Sequence, residues 1–300
     1  MSCSSGGCWS RSTGNFLTLE TVVGIQQRSA ALGIVAVGQT LAILVGSLDL
    51  SVAYLISLTS LVAAEIMAGQ DGGILPAVAA VIAVSALIGL VNGLVITRLH
   101  VHAFIATLGV ALIIRGVVDH LYDGPSGSVP ESFQRLGYDR IGPVPVSALL
   151  WAAVAVAAWF LLRRTRLGYR IYAVGGDEEV ARLSGVRTGR VIVATHVLCS
   201  ICAGIAGLLL AAGSARGAHG RHRRRLRPGV DRRGGARRNG PGSGKGGIAG
   251  TVGGVLLLAV LDSVFNQLEV NAFFKDVVRG VVIVAAVAVY ARRTSRRRSR

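Results

Sequence analysis

LRRTRLGYRIYAVGGDEEVARLSGVRTGR, residues 162–190, stands between two apolar runs, Val146–Leu162 and Val191–Ala212. Its arginines at 163, 164, 166, 170, 182, 187 and 190 face only Asp177, Glu178 and Glu179. Lys and Arg beside an apolar span mark the cytoplasmic side of a membrane, so the stretch reads as a cytoplasmic loop. Within it, Gly175-Gly176 is expected to break the chain and Asp177 to cap a short helix. Glu178 and Glu179 then occupy the first turn, where carboxylates suit the helix dipole. Leu183 and Ser184-Gly185 would close that helix. Two readings stand: a solvated connection between spans, or a helix that docks a cytoplasmic partner.

Working outward, the chain has 300 residues, 52% hydrophobic and 16% charged, with a mean hydropathy of +0.58. Soluble domains carry about 25% charged residues, so most of this chain does not face water. Apolar runs recur at Ala30–Leu48, Val52–Ala68, Ile74–Thr97, Ala103–Val118, Val146–Leu162, Val191–Ala212, Gly247–Phe265 and Val277–Tyr290. A crossing helix needs roughly 17–25 residues; some runs fall short, which points to tilted or re-entrant pieces. The expected fold is an all-α polytopic transmembrane helix bundle, one domain over 1–300. Residues 1–14 stay uninterpreted, and 291–300 form a basic tail expected at the cytoplasmic lipid surface.

The formal net charge of +17 does not describe that bundle. Nine Arg and one Lys fall within His219–Lys245, and six Arg within Arg292–Arg300. Cys199 and Cys202 form a CxxC inside an apolar run with no second pair, so packing is the expected role. Cys3 and Cys8 lie in a Ser/Gly-rich start without the charged-then-apolar order of a signal peptide. No Ser/His/Asp arrangement, metal-ligand set or cofactor site stands out.

Topology follows by parity from the 162–190 loop. Val146–Leu162 runs inward, which puts Asp119–Pro145 outside, and that loop carries Asp119, Asp123, Glu131 and Asp139 against Arg135 and Arg140. Ala103–Val118 runs outward, Ile74–Thr97 inward, Val52–Ala68 outward and Ala30–Leu48 inward. Asn15–Gln27 is left outside, as though a first helix were missing. The second half does not close. Val191–Ala212 ends outside, the C-terminal arginines belong inside, and a crossing is needed between Gly213 and Gly247. The residues there are arginine-rich, and a charge at the bilayer centre costs about 2.5–3.5 kcal/mol even on lenient scales.

The apolar runs hold polar groups at membrane depth. Ala36–Ser51 reads AVGQTLAILVGSLDLS, with Gln39, Thr40, Ser47, Asp49 and Ser51. Polar groups there need partners or water and often line a pathway. Gly46-Ser47 and Asp49 suggest a helix break, tolerated only against protein or a cavity; alternatively Asp49 is interfacial and caps a helix starting at Val52. The same logic covers Asn92-Gly93, His100–Phe104 and Arg115-Gly116.

VGQTLAILVGSLDLSVA (37–53), GLVNGLVITRLHVHAFIATLGVALIIRGV (89–117) and TRLGYRIYAVGGDEEVARLSGV (165–186) resemble the ribose/xylose-type permeases of bacterial ABC sugar importers. The likeness runs from about Asn15 to Ala212 and resumes from Gly244 to Tyr290. It implies a permease subunit of the bacterial inner membrane that does no covalent chemistry and needs no cofactor. The implied partners are a second permease copy or homologue, cytoplasmic ABC ATPase subunits and an extracytoplasmic sugar-binding protein. The coupling loop would use Arg170, Gly175, Gly176, Asp177, Glu178, Glu179, Arg182, Leu183 and Gly185. Gln39, Thr40, Asp49, Ser51, Asn92, Phe104 and Thr107 would line the translocation path.

The chain departs from that family at 219–243, where the family carries an apolar, glycine-rich stretch of the kind GY(D/E)L…AAVVLGGT. Written in G/C-rich codons with third bases chosen freely, His219–Pro241 reads one base over as TVGTGAGYDLGSTAAVVLGGTAL. A compensated frameshift between about Ala218 and Gly244 is therefore expected, and it would restore much of the missing crossing. GPGSGKG (240–246) fails the phosphate-loop pattern at both ends. The arginine run lacks interleaved aromatics, so no nucleic-acid partner is expected. A secondary transporter, or a non-transporting scaffold whose basic block binds nucleic acid or acidic lipid, remain as alternatives.

Overall fold

A computed structural model describes residues 19–122, 124, 126–214, 246–267, 271, 273–275, 277–278 and 280–281. The elements in chain order are α1 (Leu19–Leu44), α2 (Val52–Met67), α3 (Ile74–Arg98), α4 (Ala103–Leu121) and α5 (Glu131–Tyr138). Then come β1 (Arg140–Ile141), β2 (Val144–Pro145), α6 (Val146–Arg164), α7 (Arg166–Gly176), α8 (Glu178–Leu183), α9 (Thr188–Ser214) and α10 (Ile248–Gln267). The fold is an all-α polytopic bundle. Asp71–Arg98, Ala103–Leu121, Val146–Arg164, Thr188–Ser214 and Ile248–Phe265 are long and apolar enough to cross a membrane; Ser29–Leu44 and α2 are shorter apolar helices. Among the described residues the strands are those of one short hairpin, β1–β2, antiparallel with Arg140 opposite Pro145. The chain forms two compact units, Met1–Val255 and Leu256–Arg300. The apolar run Val277–Tyr290 lies largely outside the described residues, as does the 219–243 segment with most of the GPGSGKG stretch.

Helix α9 is the axis of the first unit, packed against α1, α2, α3 and α5. Lipid tails are as apolar as leucine, so helices in a bilayer associate through close packing rather than water exclusion. This chain supplies small residues where α9 is met. A Cβ added at Gly89 of α3 would lie 2.6 Å from the His196 carbonyl oxygen, and one at Gly93 would lie 2.6 Å from Val193 Cα. From the other side, Gly204 abuts Ser85 of α3 and Gly207 abuts Thr59 of α2. Gly38 of α1 presses on Cys202, at 2.7 Å to its Cβ. Cys199 and Cys202 are free and buried, which accounts for the CxxC as packing.

The helix break expected at Gly46-Ser47 and Asp49 is present: α1 stops at Leu44 and the chain restarts at Val52. Other boundaries differ from the sequence reading. Asn92-Gly93 and Arg115-Gly116 do not break the chain; they sit inside α3 and α4. Gly175-Gly176 does not break it either. Both glycines finish α7, whose Ile171 and Val174 are buried, and the break falls one residue later at an extended Asp177. The apolar face of α7 holds its last turn helical against α1, α6 and α9, which outweighs the roughly 1 kcal/mol that a helical glycine costs.

Gly93→Val would push a branched side chain into the α9 backbone, and overpacking costs about 1–3 kcal/mol or more. The variant is expected to melt earlier in detergent and to accumulate less. Gly109→Ala, where a Cβ meets nothing within 4 Å, is the control; equal melting of the two would contradict the close-packed α3–α9 seam.

A buried polar cluster at the helix break

The break between α1 and α2 is built from local rules. Gly46 takes φ +81°, the left-handed conformation that glycine adopts without a Cβ penalty. Ser47 N–H donates to Ala42 C=O (3.0 Å) and Gly46 N–H to Ile43 C=O (3.0 Å), the paired bonds that close a helix C-terminus. Asp49 then stands two residues ahead of Ser51, the N-cap of α2. Its Oδ1 accepts the Ser51 N–H at 2.9 Å and the Ser51 hydroxyl at 2.6 Å. Thr107 of α4 donates to Leu48 C=O at 3.1 Å. Backbone groups released by the break thus find partners inside protein, as an apolar surround requires.

The carboxylate of Asp49 draws in two further helices. Asn92 of α3 donates through Nδ2 to Ser51 Oγ at 2.8 Å and lies 3.4 Å from both Asp49 oxygens. His196 of α9 places Nδ1 3.4 Å from Asp49 Oδ2, and its Nε2 lies 2.8 Å from Ser47 Oγ. All of these side chains are buried: Asp49 is 2% exposed and Ser51, Asn92, Thr107 and His196 are 0%. A buried carboxylate is tolerable only when paired and hydrogen-bonded.

The sequence showed no Ser/His/Asp arrangement, yet the fold assembles one from Ser47, His196 and Asp49, which lie in the bonding order of a hydrolytic triad. Burial separates it from that chemistry, because nothing exposes the Ser47 hydroxyl to an acyl group. What it does in the fold is bond two residues of the break to α9. His196 was invisible in the sequence as a site residue, since it stands alone in the apolar run Val191–Ala212. The usable signal was a single ionisable side chain at membrane depth.

Of the path residues expected from sequence, Asp49, Ser51, Asn92 and Thr107 meet at this cluster. Gln39 and Thr40 lie apart from it on α1. Gln39 Oε1 accepts from Cys199 Sγ at 3.4 Å, while Thr40 Oγ1 donates to Ala36 C=O at 2.7 Å and pairs with Thr251 Oγ1 at 2.6 Å. Phe104 does not join; it is 40% exposed near the start of α4.

The second candidate region is α8. Asp177 accepts the Val180 N–H at 3.0 Å as N-cap, and Glu178 and Glu179 occupy the first turn. Gly185, at φ +81°, turns the chain after Ser184. Ala181 is buried, which seats the helix, but Leu183 is 79% exposed and Val180 58%. Arg182 and Glu179 pair at 2.7 Å in the open, an arrangement worth little in stability. Arg170 is exposed on α7. The segment therefore presents an exposed apolar tip on a fixed base, not a solvated coil.

Against known proteins, residues 21–218 match the family described as the branched-chain amino acid transport system / permease component. The chain is 38% identical over 282 residues to the ribose import permease protein of Escherichia coli (strain K12), covering 92% of this chain and 87% of that protein. It is 33% identical to the ribose import permease protein of Bacillus subtilis (strain 168), covering 91% and 85%. It is 32% identical to the D-allose transport system permease protein of Escherichia coli (strain K12), covering 91% and 84%. No solved structure matches significantly.

Asp49→Ala strips the acceptor from Ser51, Asn92 and His196, and each orphaned buried group costs about 1–3 kcal/mol. Asp49→Ala is expected to melt well below Asp49→Asn, which keeps one acceptor oxygen. Equal melting of Asp49→Ala and the parent chain would contradict a structural role for the cluster.

Proposed function

The chain belongs to this permease family, and on that ground we propose that it is the transmembrane subunit of an ATP-driven importer for a monosaccharide of the ribose class. The observation that carries the reading is likeness to sugar import permeases over nine-tenths of the chain, joined to a helical bundle whose α8 has an exposed apolar tip. The protein sits in the bacterial inner membrane as a multi-pass subunit and performs no covalent chemistry of its own. Its partners are cytoplasmic ATPase subunits, an extracytoplasmic sugar-binding protein and a second permease copy or homologue.

In this reading the ATPase receives α8 in a cleft. Leu183 and Val180 supply apolar contact. Arg170, Glu178, Glu179 and Arg182 supply charge, and the extended Asp177 after Gly175-Gly176 and the Gly185 turn set the angle of the helix. Closure of the ATPase on ATP pulls this loop and favours one arrangement of the bundle over another, a shift set by differential binding to the two. Sugar passes along polar groups on α1 to α4, from Gln39 and Thr40 past Asp49, Ser51, Asn92 and Thr107, with Phe104 at the start of α4. The cluster is closed in the arrangement described, so opening it is part of transport.

We also propose that 219–243 is a frameshifted passage. The family match stops at residue 218, where the apolar pattern gives way to arginines. Sequencing the gene across codons 210–250 is expected to show two compensating one-base corrections, one near each end of the passage, that restore an apolar span. Arg-rich peptides from this region, recovered from membranes, would contradict it.

Asp177→Ala removes the cap of α8, and Gly176→Ala adds a methyl where a Cβ meets nothing within 4 Å. Both variants should reach the membrane while ATP-dependent D-ribose uptake falls about 5- to 150-fold, the usual span of a coupling free energy. Undiminished uptake in both would contradict the docking role.

A further inference from the structure

His196 joins the two regions. Helix α8 and the start of α9 are tied by Val186 N–H donating to Ala181 C=O at 3.0 Å, and Ala181, Val191 and Ile192 share one buried cluster with α1, α6 and α7. A displacement of α8 therefore carries the beginning of α9 with it. His196 stands eight residues beyond Thr188, about 12 Å along the helix at 1.5 Å per residue. Among the described residues it is the one side chain of α9 that hydrogen-bonds the non-helical segment 45–51. It does so twice, to Ser47 at 2.8 Å and to Asp49 at 3.4 Å.

At Gly89, Gly93 and Gly204 helices α3 and α9 meet in close contact. Along the same seam three buried polar atoms, Ser85 Oγ, Asn92 Oδ1 and Ser200 Oγ, have no hydrogen-bond partner. Buried polar groups are nearly always satisfied, so these three atoms favour a second register of α9 on α3 that pairs them, reached by shear.

We infer that His196 is the positioning residue through which displacement of the α8–α9 corner moves the 45–51 break. Resting on the importer reading, this assigns the residue a role in coupling and not only in stability. Cutting the Ser47 and Asp49 bonds leaves α8 docked but lets α9 slide without moving the break.

The test uses the full chain with its ATPase subunits in lipid nanodiscs, the four native cysteines replaced by alanine and a reporter at Leu50→Cys. Maleimide labelling of the reporter is measured with and without ATP–vanadate, and ATP hydrolysis is read in the same sample. The parent is expected to change its labelling rate about fivefold or more on trapping. His196→Leu should lose that response while hydrolysis continues. His196→Gln, whose amide can still reach Ser47, should keep part of it. A full response in both variants would overturn the inference. If His196→Leu fails to assemble, His196→Gln and Ser47→Ala decide, and undiminished responses in both would overturn it equally. Hydrolysis without any labelling response in the parent sinks this inference alone. Absence of an ATPase-bound, hydrolysing complex sinks the importer reading along with it.

Discussion

One carboxylate at membrane depth governs the rest. Asp49 sits where α1 has stopped and α2 has not begun, and a charge there is tolerated only if protein supplies what water would. Four helices answer: Ser51 at the head of α2, Asn92 from α3, His196 from α9 and, for the neighbouring backbone, Thr107 from α4. The break, the charge and the convergence of those helices are one requirement seen from different sides. Removing the glycine-led stop would remove the need for the carboxylate. Removing the carboxylate would strand three helices' worth of polar groups.

Meeting that requirement brings backbones close, and the close approaches explain where glycine is placed. His196 can reach the break only if α9 lies near α3, and the Gly89 and Gly93 positions leave room for its backbone. Because bilayer interiors reward contact rather than water exclusion, such approaches are the main source of cohesion.

Much of this was legible before any coordinates. The Leu162–Arg190 stretch announced a capped helix by its Asp-Glu-Glu start, and α8 spans Glu178–Leu183 with Asp177 as its cap. The GSLDLS run announced a helix break through its glycine and buried acid. Other features were hidden for physical reasons. Gly175-Gly176 look like a break because local propensity disfavours glycine in helices, but the buried face of α7 overrides propensity. His196 looks like an ordinary core histidine because its partners are about 147 to 149 residues away in sequence, and no spacing rule reaches so far. Phe104 was grouped with the path by the resemblance alone, and the fold leaves it 40% exposed near the start of α4, apart from the buried cluster.

The central proposal is that the exposed tip of α8 meets an ATPase, since the proposed orientation of the bundle, its energy source and the inferred motion of α9 all depend on it. The most direct measurement is site-specific photo-cross-linking in intact cells from a photoreactive amino acid placed at Leu183, which is 79% exposed. The account predicts one dominant adduct, with an ATPase subunit bearing a phosphate-loop motif, that forms from the cytoplasm and disappears when the ATPase gene is deleted. An adduct only with an extracytoplasmic protein, or the same adduct pattern after that deletion, would contradict it.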